Sequence, residues 1–401
     1  MLLLALAALL AGCGETFRPV AIPLPQPGGD PTAVRNALVL AANGSSQGTI
    51  TQINVSGDTL SAVHTVGVNP VAATLASGSL RVITANRDDS SLTSYVIFQG
   101  STAPTTTISL PPNSCPVSIT STDSTHAYVA NSLCGAGGPG NVGVISLTNL
   151  ALSQSVQTGV NPVSVVQLPS GAKVYVANQG DNSVTGINSS DGSSFTITAG
   201  IGSSPSYVTA SSDSACVYVA NQGDGTVSVI STEAGDTVQT PAISVGAGPS
   251  FLYFDPKLNR VYVVNTAGNS LSVISHSVDP TNICRPTLLN ASPIPVGSQP
   301  RSVVALADGT RAYVANSASN SVTVVDAGSL TVRKTIDLTT VPAGSTPGLN
   351  PVSIAAASDS SRVYTANHDS GNVSVLNTGN DTVFLTLKSA SPSPNVVLVT
   401  P

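Results

Sequence analysis

Val174-Tyr175-Val176-Ala177-Asn178-Gln179-Gly180-Asp181-Asn182-Ser183-Val184-Thr185-Gly186-Ile187 alternates apolar and polar residues, breaks at a polar, glycine-containing turn, and resumes its alternation. A period of two on both sides of a Gly-Asp-Asn break predicts two antiparallel strands and a tight turn. Versions of this stretch occur eight times. Anchored on the Asn that ends the first strand, they fall at Asn43, Asn86, Asn131, Asn178, Asn221, Asn265, Asn316 and Asn367. Six copies carry Tyr three residues earlier: Tyr128, Tyr175, Tyr218, Tyr262, Tyr313 and Tyr364; Leu40 and Ile83 stand there in the first two.

Each copy is flanked by two more strand signals around a Gly/Pro turn. Val156-Gln157-Thr158-Gly159-Val160-Asn161-Pro162 leads into such a turn, and Val163-Ser164-Val165-Val166 leaves it. The unit is therefore four short antiparallel strands in about 45 residues, a period typical of repeat architectures. One such sheet cannot bury both faces alone. Radial stacking of blades around an axis buries them and leaves only short edges.

The YVAN strand, the GDNSV-type turn and the GxNP turn resemble the YVTN family of β-propeller repeats, found in exported bacterial and archaeal proteins. The resemblance spans about residues 36–400 and implies an all-β propeller of four-stranded antiparallel blades. The first copy lacks a preceding inner strand, and Pro394-Asn395-Val396-Val397-Leu398-Val399 supplies one. The expectation is eight blades, with the C-terminal strand completing the first and closing the ring. Seven blades, with a degenerate second copy, is the alternative.

Composition agrees with this architecture. Charged residues are 8% of the chain, against roughly 25% in ordinary globular proteins. There are only two glutamates, Glu15 and Glu233, and four lysines; strand and turn formers replace the residues that helices favour. A net charge of −6 without a Lys/Arg cluster argues against a nucleic-acid partner.

Residues 1–12 open on an apolar run, MLLLALAALL, too short for the roughly 20 residues that span a bilayer. A short apolar run before small residues reads as a signal peptide. Leu10-Ala11-Gly12-Cys13 resembles the bacterial lipobox, which implies cleavage before Cys13 and its lipidation; a plain signal peptide with an incidental Cys13 is the other reading. Residues 13–35, rich in proline, read as a tether between the lipid anchor and the propeller at 36–401. The expected location is extracytoplasmic, on a bacterial membrane.

Four cysteines remain. In an exported protein an even number suggests disulfides, with three connectivities open. Cys115 enters an inner strand and Cys134 sits in the next turn of the same blade, on the same face, which makes them the preferred pair. Cys216 and Cys284 both fall on the opposite face and form the second, less constrained pair. No CxxC occurs and no His lies near a Cys, so no zinc site is expected. His64, His126, His276 and His368 lie in four repeats at different positions, which argues against a histidine metal centre. Asp181, Asp224 and Asp369 lack dense calcium-loop spacing and read as turn residues.

The eight asparagines read as architecture: Asn ends strands, accepts unusual dihedrals and bonds turn backbone. No catalytic residue, metal or cofactor is assigned. The functional expectation is a monomeric, membrane-anchored binding or scaffolding module for a protein or glycan of the cell envelope. Its ligand face is expected to carry the Asn turns, the GxNP turns and the loop Ser132–Asn141. One rival is an enzyme of the lactonase or quinoprotein-like type, since some propellers related by fold are lactonases with acidic residues and a metal in the channel. The other is a cell-surface structural or adhesion protein. Specific function is to be sought where copies differ: near Cys134, around Cys284, and from Thr340 to Pro351.

Overall fold

Strands form because nearly every segment between turns pairs β-branched and aromatic residues with small polar ones. The computed structural model describes residues 35–76, 80–97, 104–134 and 138–400. The expected signal peptide 1–12, Cys13 and the expected tether as far as residue 34 lie outside these residues, as do positions 135–137 of the Gly-rich loop. The described strands make eight antiparallel sheets. Seven have four strands, and the fifth blade has its outer strand broken into Thr237–Val238 and Ile243–Ser244.

The first blade is completed from the far end of the chain. Ser393–Val399 pairs antiparallel with Asn36–Asn43, with Ala37 opposite Val399 and Leu40 opposite Val396. This closes the ring with eight blades. The inner strands of blades 1 to 8 are Ser393–Val399, Pro70–Leu75, Pro116–Thr120, Pro162–Gln167, Pro205–Ala210, Pro249–Asp255, Pro300–Ala305 and Pro351–Ala356.

Alternation explains how blades stack. In the strand Lys173–Asn178, Val174 and Val176 pack toward blade 3, while Tyr175 and Ala177 pack toward blade 5. Eight apolar cores result, one per interface between neighbouring blades. Each fully buried Val or Leu contributes about 1.5–3 kcal/mol. With both faces of each sheet covered, few positions can tolerate a charge, which accounts for the low charged fraction.

The repeat asparagines are architectural, by a route the sequence reading did not identify. Seven of them, Asn86 to Asn367, are at most 1% exposed. Asn178 Nδ2 donates to Ser183 Oγ and Thr185 Oγ1 on the next strand, both at 2.9 Å. Asn86, Asn221, Asn265 and Asn316 make the same pair of bonds to hydroxyls five and seven residues on. The partners are thus cross-strand side chains, not turn backbone. The left-handed φ falls instead on asparagines of the GxNP turn, Asn69, Asn161 and Asn350.

Asn43, expected to share this role, does not. It is exposed in a hairpin extension of the first blade, and Ala41 occupies the slot, since Ala41 faces Pro394 as Asn178 faces Pro162. The hairpin is two residues longer at this end, which displaced the sequence alignment.

The turn acids belong to the same network. Asp181 accepts from Ser183 Oγ at 2.7 Å and from Val160 N at 3.0 Å, fastening the GxNP turn to the YVAN hairpin. Gly159 is required beneath it, because a Cβ there would meet Asp181 Oδ2 at 2.5 Å and Asn178 Nδ2 at 2.8 Å.

Three of the repeat tyrosines find carboxylates across blade interfaces and Tyr218 finds His276, while Tyr262 OH has no partner among the described residues. Tyr313 OH donates to Asp381 at 2.5 Å, and Arg311 and Arg333 pair with the same carboxylate at 2.7 and 3.0 Å. Tyr364 OH and Arg362 hold Asp58 at 2.9 and 3.0 Å across the closing seam between blades 8 and 1. Tyr175 and Lys173 hold Asp236 in the same way. Burial and the nearby carboxylates push these phenols well above their ordinary range. Both expected disulfides are present. Cys115–Cys134 bridges two turns of blade 3, and Cys216–Cys284 ties the inserted loop of blade 6 to blade 5.

Candidate functional site

None of the residues singled out in the sequence converges on a ligand site. Five asparagine Nδ2 groups are taken by hydroxyls, and Asn131 and Asn367 donate to the side chains of Asn141 and Asn372. Oδ1 of Asn131, Asn178, Asn221, Asn265 and Asn316 has no partner among the described residues. Asp181 and Asp224 accept from backbone N–H groups, and Asp369 bonds Asn350 and His368. His64 is buried against Tyr95, with ring centroids 4.2 Å apart. His276 bridges Tyr218 OH and Asp213, and His368 bonds Asp369. The Thr340–Pro351 turn is fastened by Asn372, which donates to Thr346 and Pro347.

The inner strands are where the eightfold pattern breaks. They surround a central cavity of about 510 Å³. Compare the residue that follows the opening proline in each. In chain order around the ring it is Val71, Val117, Val163, Ser206, Ser250, Arg301, Val352 and Asn395. One is a cation. The next position reads Ala72, Ser118, Ser164, Tyr207, Phe251, Ser302, Ser353 and Val396. Two adjacent blades carry aromatics there, and blade 6 adds Tyr253.

The small residues have a structural task. Ser118, Ser164 and Ser353 each accept from the N–H of the next inner strand, at Val165, Val208 and Val397, at 3.1–3.2 Å. These bonds stitch the ring circumferentially. Where Tyr207 and Phe251 replace serine, their rings pack 4.7 Å apart instead.

The wall made by blades 5 to 7 therefore presents Tyr207, Phe251, Tyr253 and Arg301. All four line the cavity. Arg301 is exposed, and its guanidinium makes no ion pair or hydrogen bond among the described residues. The hydroxyls of Tyr207 and Tyr253 likewise have no protein partner among them. Desolvation pushes both phenols up to about 12, so they remain neutral donors at physiological pH.

The cavity continues toward the opposite mouth. A second space of about 440 Å³ shares Tyr253, Val304 and Ala356 with it and is lined also by Asp255, Lys257 and Ser358. Asp255 is 1% exposed. Its Oδ1 accepts from Lys257 N and Leu258 N, while Oδ2 has no partner. Burial dominates and raises its pKa above the ordinary carboxylate value.

Sequence reasoning passed over the wall because it compared the conspicuous YVAN copies and not the inner strands. Aligning the residues after each GxNP proline would have exposed Arg301 against a ring of valines. The interface acids Asp58, Asp236 and Asp381 were also missed, because they lie in turns of the neighbouring blade.

Comparison with known proteins gives a consistent picture of the fold. A family profile described as "Lactonase, 7-bladed beta-propeller" matches residues 289–397, which include blades 7 and 8 and most of the closing strand. No curated protein matches the chain. Among solved structures, the periplasmic gluconolactonase of Pseudomonas aeruginosa is 18% identical with a TM-score of 0.61, covering 92% of this chain and 99% of that one. A putative 6-phosphogluconolactonase of Bacteroides fragilis is 13% identical with a TM-score of 0.58, covering 93% and 100%. A dihydro-heme d1 dehydrogenase is 13% identical with a TM-score of 0.69, covering 94% and 77%.

The donor set of the channel does not fit a metal of the lactonase kind. No Asp, Glu, His or Cys is among the residues lining the central cavity. Among the described residues, no group of three or more such side chains is placed to hold an ion. What the channel can do is bind: it has apolar walls, aromatic faces, two free phenol donors and one unpaired guanidinium.

Proposed function

We propose that this chain is a lactonase-type propeller protein whose working site is the central channel. It takes a small, oxygen-rich organic molecule, of the class of a sugar-acid lactone or the acid it opens to. The observation that carries this is the wall of blades 5 to 7, which departs from the eightfold pattern inside the channel. Ligand sites combine apolar lining with a few convergent polar groups, as this wall does. The lactonase profile over residues 289–397 and the gluconolactonase relatives support the choice of ligand class. This moves the site from the turn face, expected for a protein or glycan partner, to the channel. Export and lipidation at Cys13 are part of the proposal and rest on the N-terminal sequence.

The test uses the purified chain. Calorimetry with gluconate and a pH-stat assay of glucono-1,5-lactone opening separate binding from turnover. Val163→Trp fills the channel from blade 4, beside that wall, and should abolish whichever signal is present. Absence of both signals, or their persistence in Val163→Trp, refutes the channel as the working site.

A further inference from the structure

Arg301 is the one residue of its ring that blade architecture leaves unexplained. Six members of that ring are valine or serine, and Asn395 donates to Pro70 O at 3.2 Å. Serines 206 and 250 bond Pro249 O and Thr266 Oγ1. Arginine at this place fills no blade interface and neutralises no acid. The corresponding turns of its own blade and of blade 6, Asn316–Ser321 and Asn265–Ser270, carry no acid, and Asp369 in that turn of blade 8 is paired with Asn350 and His368. An unpaired guanidinium beside an apolar cavity is a preorganised clamp for a planar oxyanion, offering two parallel N–H donors.

We propose that Arg301 is the anchor for a monocarboxylate, with the ligand body lying along Phe251 and the hydroxyls of Tyr207 and Tyr253 donating to its oxygens. This rests on the channel being the ligand site. The commitment to a single negative charge follows from the lining. Among the described residues lining the central cavity Arg301 is the only charged one, Asp255 and Lys257 lining the space beyond it, so it balances one charge. A phosphate monoester, carrying close to two at neutral pH, would leave excess charge against Val, Ala and Phe surfaces, which is costly. The aromatic faces add sequence-distinct contact area without adding charge.

The experiment uses three probes of similar shape with the full chain: 3-(4-hydroxyphenyl)propionate, its primary amide, and 4-hydroxyphenyl phosphate. Calorimetry on the wild type should show the carboxylate binding at least tenfold tighter than the amide, or about 1.4 kcal/mol. The phosphate should bind more weakly than the carboxylate. Arg301→Gln should cost the carboxylate at least tenfold and leave the amide unchanged; an unaltered melting temperature verifies that this exposed substitution keeps the fold. Equal binding of carboxylate and amide, or a carboxylate affinity unmoved in Arg301→Gln, overturns the anchor while leaving the channel reading intact. Tighter phosphate binding overturns the single-charge assignment. Binding of none of the three overturns the anchor, while the channel reading stands or falls on gluconate binding and lactone opening.

Discussion

Consider replacing Asp58 by Asn at the closing seam. Asp58 is held by Arg362 Nε at 3.0 Å and Tyr364 OH at 2.9 Å, and its side chain is 5% exposed while that of Arg362 is 22% exposed. Asn keeps the left-handed φ of +48° that this turn requires and can still accept from Tyr364. It removes the charge that Arg362 was buried against. Breaking a buried ion pair from one side costs about 3–5 kcal/mol, and the partial exposure of Arg362 favours the lower end, about 3 kcal/mol. Unfolding entropy of roughly 2.1 cal/mol/K per residue over some 370 residues makes that a fall in melting temperature of about 4 °C. The partners are 304 and 306 residues apart in sequence, so their contact forms late, and the loss should appear chiefly as faster unfolding. Denaturant unfolding rates and a double-mutant cycle with Arg362→Met measure both quantities; coupling of at least about 1 kcal/mol is expected. A loss below 1 kcal/mol, or a loss carried wholly by slower folding, refutes the reasoning.

Three further outcomes are expected. Asn178→Ala and Asn316→Ala should each cost about 2–4 kcal/mol, since two buried bonds go and two hydroxyls lose their donor; Asn43→Ala, exposed, should stay within about 0.5 kcal/mol, and a channel ligand should bind all three alike. Removing Cys216–Cys284, which spans 68 residues, should destabilise more than removing Cys115–Cys134, which spans 19; the chain-entropy relation gives about 4.4 against about 3.2 kcal/mol, measurable by chemical denaturation of the paired Cys→Ala variants. Asp255 has a folded pKa raised above the ordinary value of 3.8, so the folded state holds the proton more tightly than the unfolded one. Its contribution is fully present below pH 3.8 and is lost as pH rises through the folded pKa. Asp255→Asn should therefore flatten that decline, gaining stability relative to wild type at pH 7 but not at pH 3.5; parallel pH profiles for the two proteins would count against a buried, proton-retaining carboxyl.

The ring was legible in the sequence because the features that make it are local. Period-two alternation, GxNP turns and the spacing of Tyr to Asn all lie within one copy, and closure could be read from an orphan inner strand at Pro394–Val399. The disulfide Cys115–Cys134 followed from the same topology. What escaped were relations between copies. Asp58, Asp236 and Asp381 act on tyrosines of the preceding blade, some 60 to 300 residues away in sequence. Arg301 is conspicuous only beside seven counterparts scattered over the chain. Asn43 matched the pattern in letters but sits two residues out of register, which only strand pairing reveals.

The pairing of Asn36–Asn43 with Ser393–Val399 also constrains how the protein is made. Of the described strands, the earliest made waits for the latest. At roughly 5–20 residues per second, its inner edge stays unpaired for roughly 20–70 s of synthesis. Throughout that interval Leu38 and Leu40, with the open backbone between them, offer a template for another chain. Whatever escorts the nascent polypeptide must cover that edge, and any fragment lacking the closing strand inherits the hazard permanently.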